Sequence, residues 1–270
     1  MTQHLEALVL DWAGTVVDFG SFAPTQIFVD AFKKAYDVDL SIEQARAPMG
    51  LGKWQHIQAI GDMPEVASLW ERRFGHVMTE QDIDHIYETF MPLQVERVGA
   101  HSAFIPGALE AVAHARGMGL KIGSTTGYPR EVMQVLMKIA ARNGYTPDTT
   151  VCADDLEAGS RPGPWMALEC VQQLRISAVW RCVKVDDTLP GIHEGLNAGM
   201  WTVGLALSGS PAGWTLEQFL QASAEERQTV RDRVGGEFRN AGAHYVIDSI
   251  EDLPGVLDAI NARLASGERP

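Results

Sequence analysis

A carboxylate stands at the end of the first apolar segment of the chain. Asp11 follows residues 5–10 and precedes a turn of small residues in the stretch LVLDWAGTVVD, positions 8–18. A carboxylate in this place can attack phosphorus while the N–H groups of the turn bind phosphoryl oxygens. Many phosphate-transferring sites of this kind carry a second aspartate two residues later, but here that position is Ala13. Either the site is inactive, or its leaving group is activated by other means.

Two further segments carry groups that suit a phosphoryl anion. KIGSTTGYPR, positions 121–130, contains Thr126 and Gly127, which offer a hydroxyl and a backbone N–H at one edge. In AGSRPGPWM, positions 158–166, Arg161 stands at the start of a predicted helix. A guanidinium can bind two phosphoryl oxygens at once and keeps its charge. Each signal is weak alone, because small polar turns and surface arginines are common.

Adjacent carboxylates, Asp186 and Asp187, follow another apolar segment at 179–185. Mg²⁺ prefers one or two carboxylates together with water and substrate oxygens. Opposite Asp11, such an ion would cancel the repulsion between the carboxylate and an anionic phosphoryl group. Neighbouring residues of a strand point to opposite faces, so we expect Asp187 to be the direct ligand. Asp186 is expected either as a second ligand or as a support next to it.

A lysine opens a predicted helix in APMGLGKWQHIQAI, positions 47–60. Lys53 follows a Gly-x-Gly turn, and His56 lies three residues later on the same helix face. A helix N-terminus is unfavourable for a cation and favours the neutral amine, which is the form that attacks a carbonyl. A free lysine has a pKa of about 10.4. Burial or a neighbouring cation is therefore required to lower the pKa of Lys53.

These groups need a framework that brings them together. Apolar segments rich in β-branched residues alternate with segments of helical period, which predicts an α/β fold with a Rossmann-like, doubly wound parallel sheet. Ligands of such sheets bind beyond the carboxyl ends of the strands, so Asp11, Thr126 and Asp187 are expected to converge. The predicted strands are 5–10, 120–125, 179–185, 201–207 and 245–247, and the helices between them are 107–116, 130–143, 164–174 and 191–198.

Residues 21–98 show helical patterns and no convincing strand. We therefore predict an inserted α-helical cap domain at 21–98 and a core domain made of 1–20 and 99–270. The predicted cap helices are 23–36, 42–47, 53–60, 66–74 and 80–98, and the charged stretch 215–240 is predicted to be a solvent-facing helix.

Composition excludes several classes of protein. The chain has 270 residues, 46% hydrophobic and 21% charged, and a net charge of −13, which argues against nucleic acid as a partner. Three cysteines without CxxC spacing favour a reducing cytoplasm over a disulfide framework or a zinc site. No signal-peptide pattern and no apolar run of membrane-spanning length are present, so we expect no membrane partner.

The order of Asp11, Thr126, Arg161 and Asp187 resembles that of the haloacid dehalogenase superfamily. Within it, the pairing of Ala13 with a cap lysine resembles the phosphonoacetaldehyde hydrolase (phosphonatase) family. The matching segments are DWAGTVVD (11–18), FAP (22–24), MGLGKWQH (49–56), GSTTGY (123–128), GSRPGPWM (159–166) and NAGMWTVGL (197–205).

This resemblance implies hydrolysis of the P–C bond of phosphonoacetaldehyde to acetaldehyde and phosphate. Lys53 would condense with the aldehyde to form an iminium ion that accepts the electron pair of the broken bond. Asp11 would attack phosphorus and become an aspartyl phosphate, which water hydrolyses. A carbon leaving group cannot usefully be protonated as an ester oxygen can, which accounts for Ala13.

The resemblance also implies a set of ligands and a homodimer joined through the cap. One Mg²⁺ per subunit would be held by the Asp11 carboxylate, the Ala13 carbonyl and Asp187, with Asp186 beside them. Some members carry an acidic residue four places after the metal aspartate, where this chain has Gly191. The residues implied around the substrate are Thr126, Gly127 and Arg161 at the phosphoryl group, and Met49, Tyr128 and His56 near Lys53, with His56 as a proton carrier.

Two other functions fit parts of the pattern. One is a Mg²⁺-dependent phosphomonoesterase or sugar-phosphate mutase of the same superfamily, but ester cleavage benefits from the acid that Ala13 lacks. The other is a non-catalytic phosphometabolite-binding protein, against which the other intact positions argue.

Overall fold

A parallel β-sheet forms the centre of the molecule. The structure, a computed structural model, describes residues 4–270, so residues 1–3 of the predicted core domain lie outside the described part. Within 4–270, six strands pair in parallel in the order β3-β2-β1-β4-β5-β6. The strands are β1 (Ala7–Leu10), β2 (Lys121–Thr126), β3 (Thr149–Cys152), β4 (Cys182–Asp186), β5 (Trp201–Leu205) and β6 (Tyr245–Ile247).

The strand order reverses at β1, which pairs with β2 on one side and β4 on the other. Loops that leave the carboxyl ends of these strands diverge there and open a crevice, the usual ligand site of doubly wound sheets. All four residues of β1 are buried, because helices cover both faces of the sheet. The predicted doubly wound sheet with a helical insertion is confirmed.

Five α-helices lie within residues 21–98, and no strand occurs in this range, all of which the structure describes. They bury an apolar cluster of their own, in which Phe28 and Phe90 stack with centroids 4.4 Å apart. The aromatic and aliphatic side chains of this cluster recur at helical spacing, which is why these segments fold as packed helices. The helices are α1 (Phe22–Tyr36), α2 (Ile42–Arg46), α3 (Lys53–Gly61), α4 (Pro64–Phe74) and α5 (Glu80–Arg97).

Seven further helices flank the sheet. They are α6 (Ala108–Gly117), α7 (Arg130–Arg142), α8 (Trp165–Leu174), α9 (Leu189–Ala198), α10 (Leu216–Gln221), α11 (Ala224–Asn240) and α12 (Leu253–Ala265), counted over the described range 4–270. None of the helices in that range is long and apolar enough to cross a membrane. Cys152, Cys170 and Cys182 are buried and free.

Four local predictions were wrong. Strand β3 was missed because its sequence, TTVC, is short and half polar. The segment 179–185 begins as a 3₁₀ turn, so β4 starts only at Cys182. The stretch 215–240 forms two helices, and α11 is not fully solvent-facing, because it buries Val234 and Phe238.

The fourth correction concerns Arg161, which lies on the loop before α8 and not at the start of the helix. The prolines at 162 and 164 disfavour helical backbone in the residue before each of them, so α8 begins at Trp165.

Two chain segments connect the helical insertion to the sheet, and a side-chain contact joins them. Asp18 adopts a left-handed backbone, φ 57°, and its Oδ2 accepts a hydrogen bond of 2.9 Å from the Ala23 N–H at the start of α1. Its Oδ1 lies 3.2 Å from Nδ1 of His101 in the returning segment. The Asp18–His101 pair therefore ties the outgoing chain to the returning chain.

Candidate active site

The predicted site residues meet in one pocket beyond the carboxyl ends of β1, β2 and β4. Of the predicted residues, only His56 and Asp186 do not line it. Four lining residues were not predicted as substrate or metal ligands: Ser21, Pro24, Gly50 and Thr188. The residues that line it are Asp11, Ala13, Ser21, Pro24, Met49, Gly50, Lys53, Thr126, Gly127, Tyr128, Arg161, Asp187 and Thr188.

Three carboxylates crowd one side of the pocket. One oxygen of each of Asp11, Asp186 and Asp187 lies within 4.8 Å of the other two, and all three residues are buried. Burial and the charges of Asp11 and Asp186 raise the pKa of Asp187 well above its ordinary value. Burial and Asp186 raise the pKa of Asp11 to about 6, although Arg161 and Lys184 act in the opposite direction. The neighbouring cations therefore do not fully compensate the negative charge of the three carboxylates.

The donor set fits a hard divalent cation. Oδ2 of Asp187 accepts a 2.7 Å hydrogen bond from the Ser210 N–H, whereas Oδ1 is buried and has no hydrogen-bond partner in the described part of the chain. Such an orphaned oxygen is costly unless a cation or water satisfies it. Asp11 and Ala13 line the same pocket, and carboxylate and backbone carbonyl oxygens are the ligand types that Mg²⁺ takes.

Asp186 is held differently from its neighbour. Its Oδ1 accepts hydrogen bonds from the N–H and the hydroxyl of Thr188, at 3.0 and 2.7 Å. Its Oδ2 lies 2.9 Å from Nζ of Lys184 and 3.2 Å from Nη2 of Arg161. Burial acts to raise the pKa of Asp186, but these two cations outweigh it and lower the pKa. Oδ1 is hydrogen-bonded and Oδ2 is paired with two cations, which favours a supporting position for this carboxylate.

The position of Asp186 also accounts for Gly191. A Cβ added to Gly191 would lie 1.9 Å from Cγ of Asp186, well inside any allowed contact. Any side chain at 191 would therefore displace the Asp186 carboxylate. An acidic side chain at 191 and the observed Asp186 position exclude each other.

Arg161 reaches the pocket from beneath the carboxylates. Its Nη2 lies 2.8 Å from Oδ1 of Asp11 and donates to the Thr125 carbonyl at 2.9 Å. The Thr126 hydroxyl accepts a 3.1 Å hydrogen bond from the Tyr128 N–H, which orders the turn after β2. Arg161, Thr126 and Gly127 all line the pocket, and a guanidinium, a hydroxyl and a glycine N–H are groups that bind an oxyanion of phosphorus.

Lys53 enters the pocket from the first residue of α3. It is only 4% exposed, and its Nζ lies 5.0 Å from the centroid of the Tyr128 ring and 5.6 Å from that of Phe28. Burial lowers its pKa to about 7, with Asp11 opposing this shift and Arg161 assisting it. No hydrogen bond or ion pair to any described residue holds Nζ, so the amine is available to a ligand.

His56 is one helical turn from Lys53 and does not line the pocket. It is fully buried, its ring stacks on Phe28 at 3.8 Å, and its Nε2 lies 2.8 Å from the Ala45 carbonyl. Because a carbonyl only accepts, Nε2 carries the proton and Nδ1 keeps the lone pair. Burial and the Lys53 charge lower the pKa of His56 well below 6.5, so the ring is neutral.

Two glycines bring the insertion and the sheet into backbone contact at the pocket. A Cβ on Gly127 would lie 2.7 Å from the Leu51 carbonyl oxygen, and one on Gly50 would lie 2.2 Å from Oγ1 of Thr188. The Gly-x-Gly turn before Lys53 was the sequence signal that could have identified Gly50 as a pocket residue. Thr188 also caps α9, since its hydroxyl accepts the Gly191 N–H at 3.3 Å.

Known proteins resemble this chain over its whole length. The haloacid dehalogenase-like hydrolase family matches residues 5–199. A phosphonoacetaldehyde hydrolase from Klebsiella pneumoniae is 58% identical over 267 residues, which cover 99% of each protein. One from Aeromonas hydrophila is 56% identical over 269 residues, covering 100% of this chain and 96% of the relative.

The crystal structure of a phosphonoacetaldehyde hydrolase like protein from Oleispira antarctica superposes with a TM-score of 0.96 at 43% identity, covering 100% of this chain and 97% of the other. These matches agree with the residues that the pocket brings together. The chain belongs to the haloacid dehalogenase-like hydrolases and, within them, to the phosphonoacetaldehyde hydrolase family.

Proposed function

We propose that this chain hydrolyses the P–C bond of phosphonoacetaldehyde, yielding acetaldehyde and phosphate. The observation that carries the proposal is the juxtaposition of Lys53 with Asp11 in a pocket where position 13 is alanine. The pocket contains a nucleophile for phosphorus and a buried amine for an aldehyde, but no acid two residues after the nucleophile. A phosphomonoesterase or mutase would use that acid, and it would have no use for a buried amine of low pKa.

The first step takes place at Lys53. With a pKa of about 7, a large fraction of the amine is neutral near neutral pH. The nitrogen lone pair attacks the aldehyde carbon, and the carbonyl oxygen leaves as water to give an iminium ion. His56 is our proposed proton carrier, because it is neutral and its Nδ1 has no hydrogen-bond partner in the described structure.

The second step takes place at Asp11. Its carboxylate attacks phosphorus, and the electron pair of the P–C bond moves into the iminium, leaving an enamine on Lys53 and an aspartyl phosphate. Thr126, Gly127 and Arg161 bind the phosphoryl oxygens. Water then releases phosphate from Asp11. Protonation of the enamine carbon and hydrolysis of the resulting iminium release acetaldehyde and restore Lys53.

One Mg²⁺ per subunit fits this site. We propose that the Asp11 carboxylate, the Ala13 carbonyl and Asp187 would hold it, with Asp186 supporting them. The orphaned Oδ1 of Asp187 and the mutual repulsion of the carboxylates support this assignment. When bound, the ion would neutralise the charge that develops between the carboxylates and the phosphoryl group.

Residues 21–98 act as a mobile cap in this proposal, over a core of 1–20 and 99–270. The insertion has its own apolar cluster, which lets it move as a unit. Lys53 comes from the cap and Asp11 from the core, so substrate entry requires opening and chemistry requires closure. Met49 and Tyr128, one from each part, enclose the aldehyde end of the substrate.

A homodimer joined through the cap and a cytoplasmic location complete the proposal. The buried apolar residues of α1, including Ile27 and Phe32, pack inside the subunit, so they do not form the proposed dimer interface. Light scattering of the purified protein, with a mass of 29.5 kDa per chain, tests the assembly. The three free cysteines suit a reducing compartment.

The activity test supplies phosphonoacetaldehyde and Mg²⁺ to purified protein and measures acetaldehyde and phosphate together. Equal amounts of the two products, abolished by Asp11→Asn, are the expected result. A simple alkyl phosphate serves as the comparison substrate. Faster phosphate release from the ester would indicate a phosphomonoesterase, and release from neither would indicate a binding protein.

A further inference from the structure

Two charged residues lie beneath the pocket without lining it. Glu194 on α9 and Lys184 on β4 are both fully buried, and no solvent reaches either side chain. Ionised groups are rarely buried to this extent unless they are paired. Their contacts lead to the residues that line the pocket.

Glu194 holds one edge of the Arg161 guanidinium. Its Oε2 accepts from Nε of Arg161 at 2.9 Å and from the Thr125 hydroxyl at 3.0 Å, and it lies 3.3 Å from Nζ of Lys184. The guanidinium is planar, so a bond at Nε sets the direction of the other two nitrogens. With Nε on Glu194, Nη2 lies against Asp11 and the Thr125 carbonyl.

Lys184 completes the network from the sheet side. Its Nζ donates to the Thr125 hydroxyl at 2.8 Å and lies 2.9 Å from Oδ2 of Asp186. The ammonium thus bridges Asp186 and Glu194, two of the three carboxylates that pair with Arg161. Without this charge, the three carboxylates would have only the Arg161 guanidinium as a buried cationic partner.

We infer that Glu194 and Lys184 are positioning residues for phosphoryl binding, Glu194 by orienting Arg161 and Lys184 by balancing Glu194 and Asp186. Neither touches the substrate. The inference deepens the proposed function, on which it rests for the identity of the phosphoryl ligand. The rival explanation is that the pair only fastens α9 to the sheet, in which case it would affect stability but not the affinity for phosphate.

The probe for Arg161 is inorganic phosphate, whose affinity is measured by calorimetry in the presence of Mg²⁺. Glu194→Gln keeps the size and an acceptor oxygen but removes the charge that pairs with Nε. We expect phosphate to bind at least about tenfold more weakly to this variant, as for loss of a charge-assisted hydrogen bond. Borohydride trapping of acetaldehyde, which has no phosphoryl group, is expected to label Lys53 within about twofold of the native rate.

Asp148→Asn is the matched control. Asp148 also pairs with an arginine of the sheet domain, Arg116, at 3.2 Å, but it precedes β3 and lies at the opposite end of the sheet. Its loss is expected to lower the melting temperature and leave phosphate affinity unchanged. Phosphate affinity in Glu194→Gln equal to that of the native protein would overturn the inference.

A double-mutant cycle separates orientation of Arg161 from any independent effect. In an Arg161→Ala background, Glu194→Gln is expected to cause no further loss of phosphate affinity, and additive losses would contradict the inference. If Glu194→Gln does not fold, Lys184→Gln/Glu194→Gln removes both charges together and is measured in its place, with the same expected loss. These readouts are independent of P–C cleavage, so a failure of the proposed function would be seen separately, in the native protein.

Discussion

Nζ of Lys53 lies 5.0 Å from the centroid of the Tyr128 ring, so an amine from the helical insertion stands over the turn that follows β2. That turn also contains Thr126 and Gly127, which line the same pocket. The contact explains why Lys53 is almost fully buried although it is the first residue of its helix. The low pKa of Lys53 follows from this burial, because the buried ammonium group loses its solvation by water.

Replacing Lys53 by arginine is expected to abolish P–C cleavage. Arginine keeps the positive charge but cannot form the imine, so the rate should fall on the order of 10³-fold or more. Coupled measurement of acetaldehyde release checks this. Lys33→Arg, at an exposed lysine of α1, is the control and should leave the rate unchanged. Residual cleavage within tenfold of native in Lys53→Arg would contradict a covalent role.

Imine formation should rise with pH around neutrality. Burial lowers the pKa of Lys53 to about 7, so the amine is protonated and inactive below that pH and neutral above it. The rate of borohydride trapping with acetaldehyde is therefore expected to increase about tenfold per pH unit up to pH 7 and then level off. A rate that keeps climbing to pH 9 would show that the amine has an ordinary pKa.

Ala13→Asp should shift the chemistry towards esters. An aspartate at position 13 supplies the acid that an oxygen leaving group needs, while the backbone carbonyl stays in place. We expect the ratio of alkyl phosphate hydrolysis to P–C cleavage to rise by roughly 10²-fold. This ratio is obtained by measuring phosphate release from both substrates in parallel. Ala13→Ser is the control. An unchanged ratio would mean that position 13 does not select the leaving group.

Gly127→Ala should impair closure of the cap over the sheet. The added Cβ would lie 2.7 Å from the Leu51 carbonyl oxygen. Because this is a backbone atom, no side-chain rotation can relieve the clash. Displacing Lys53 by about 1 Å is expected to lower kcat/KM by roughly 10²-fold with little change in melting temperature. Gly117→Ala on α6 is the control, since no atom lies within 4 Å of its added Cβ. Native kcat/KM in Gly127→Ala would rule out close contact at this point during turnover.

The Asp18–His101 pair should stabilise the protein mainly at low pH. The hydrogen bond to Asp18 raises the pKa of His101 above 6.5 in the folded state. Its contribution is therefore complete below the unfolded pKa of about 6.5 and is lost as pH rises through the folded pKa. The pair is partly exposed, so His101→Gln should lower the melting temperature at pH 5.5 by only about 2 °C.

The same comparison at pH 8.5 is the control for that prediction. Where the pH exceeds the raised pKa of His101, the ring is neutral in both states, and the native protein and His101→Gln should melt at nearly the same temperature. A larger difference in melting temperature at pH 8.5 than at pH 5.5 would contradict this pH dependence.

Local patterns were enough for five of the six strands in residues 4–270 and for most of the pocket. Asp11 and Asp187 each follow an apolar segment, and parallel strands bring their carboxyl ends together whatever the loops do. Strand β3 was not visible, because Thr149 and Thr150 lie at a sheet edge and only Val151 and Cys152 are fully buried. Four residues of this kind carry no period that a pattern could detect.

The buried charged residues beneath the site were also not identified from the sequence. Glu194 and Lys184 look like surface residues in the sequence, and only tertiary contacts show them beneath the site. The available signal was a lysine between two valines in a strand that is otherwise wholly apolar before Asp186. His56 shares a helix face with Lys53 as predicted, but the Ala45 carbonyl sets the direction of its ring, and its role as proton carrier stays a prediction.

The most direct measurement is mass spectrometry of peptides after borohydride treatment in the presence of phosphonoacetaldehyde and Mg²⁺. Imine chemistry at Lys53 predicts an ethyl group on Lys53 in the native protein, from the reduced product imine. In Asp11→Asn, which can form the imine but cannot cleave it, the same lysine should carry a phosphonoethyl group. Turnover to acetaldehyde and phosphate with Lys53 unmodified in both proteins would contradict the account.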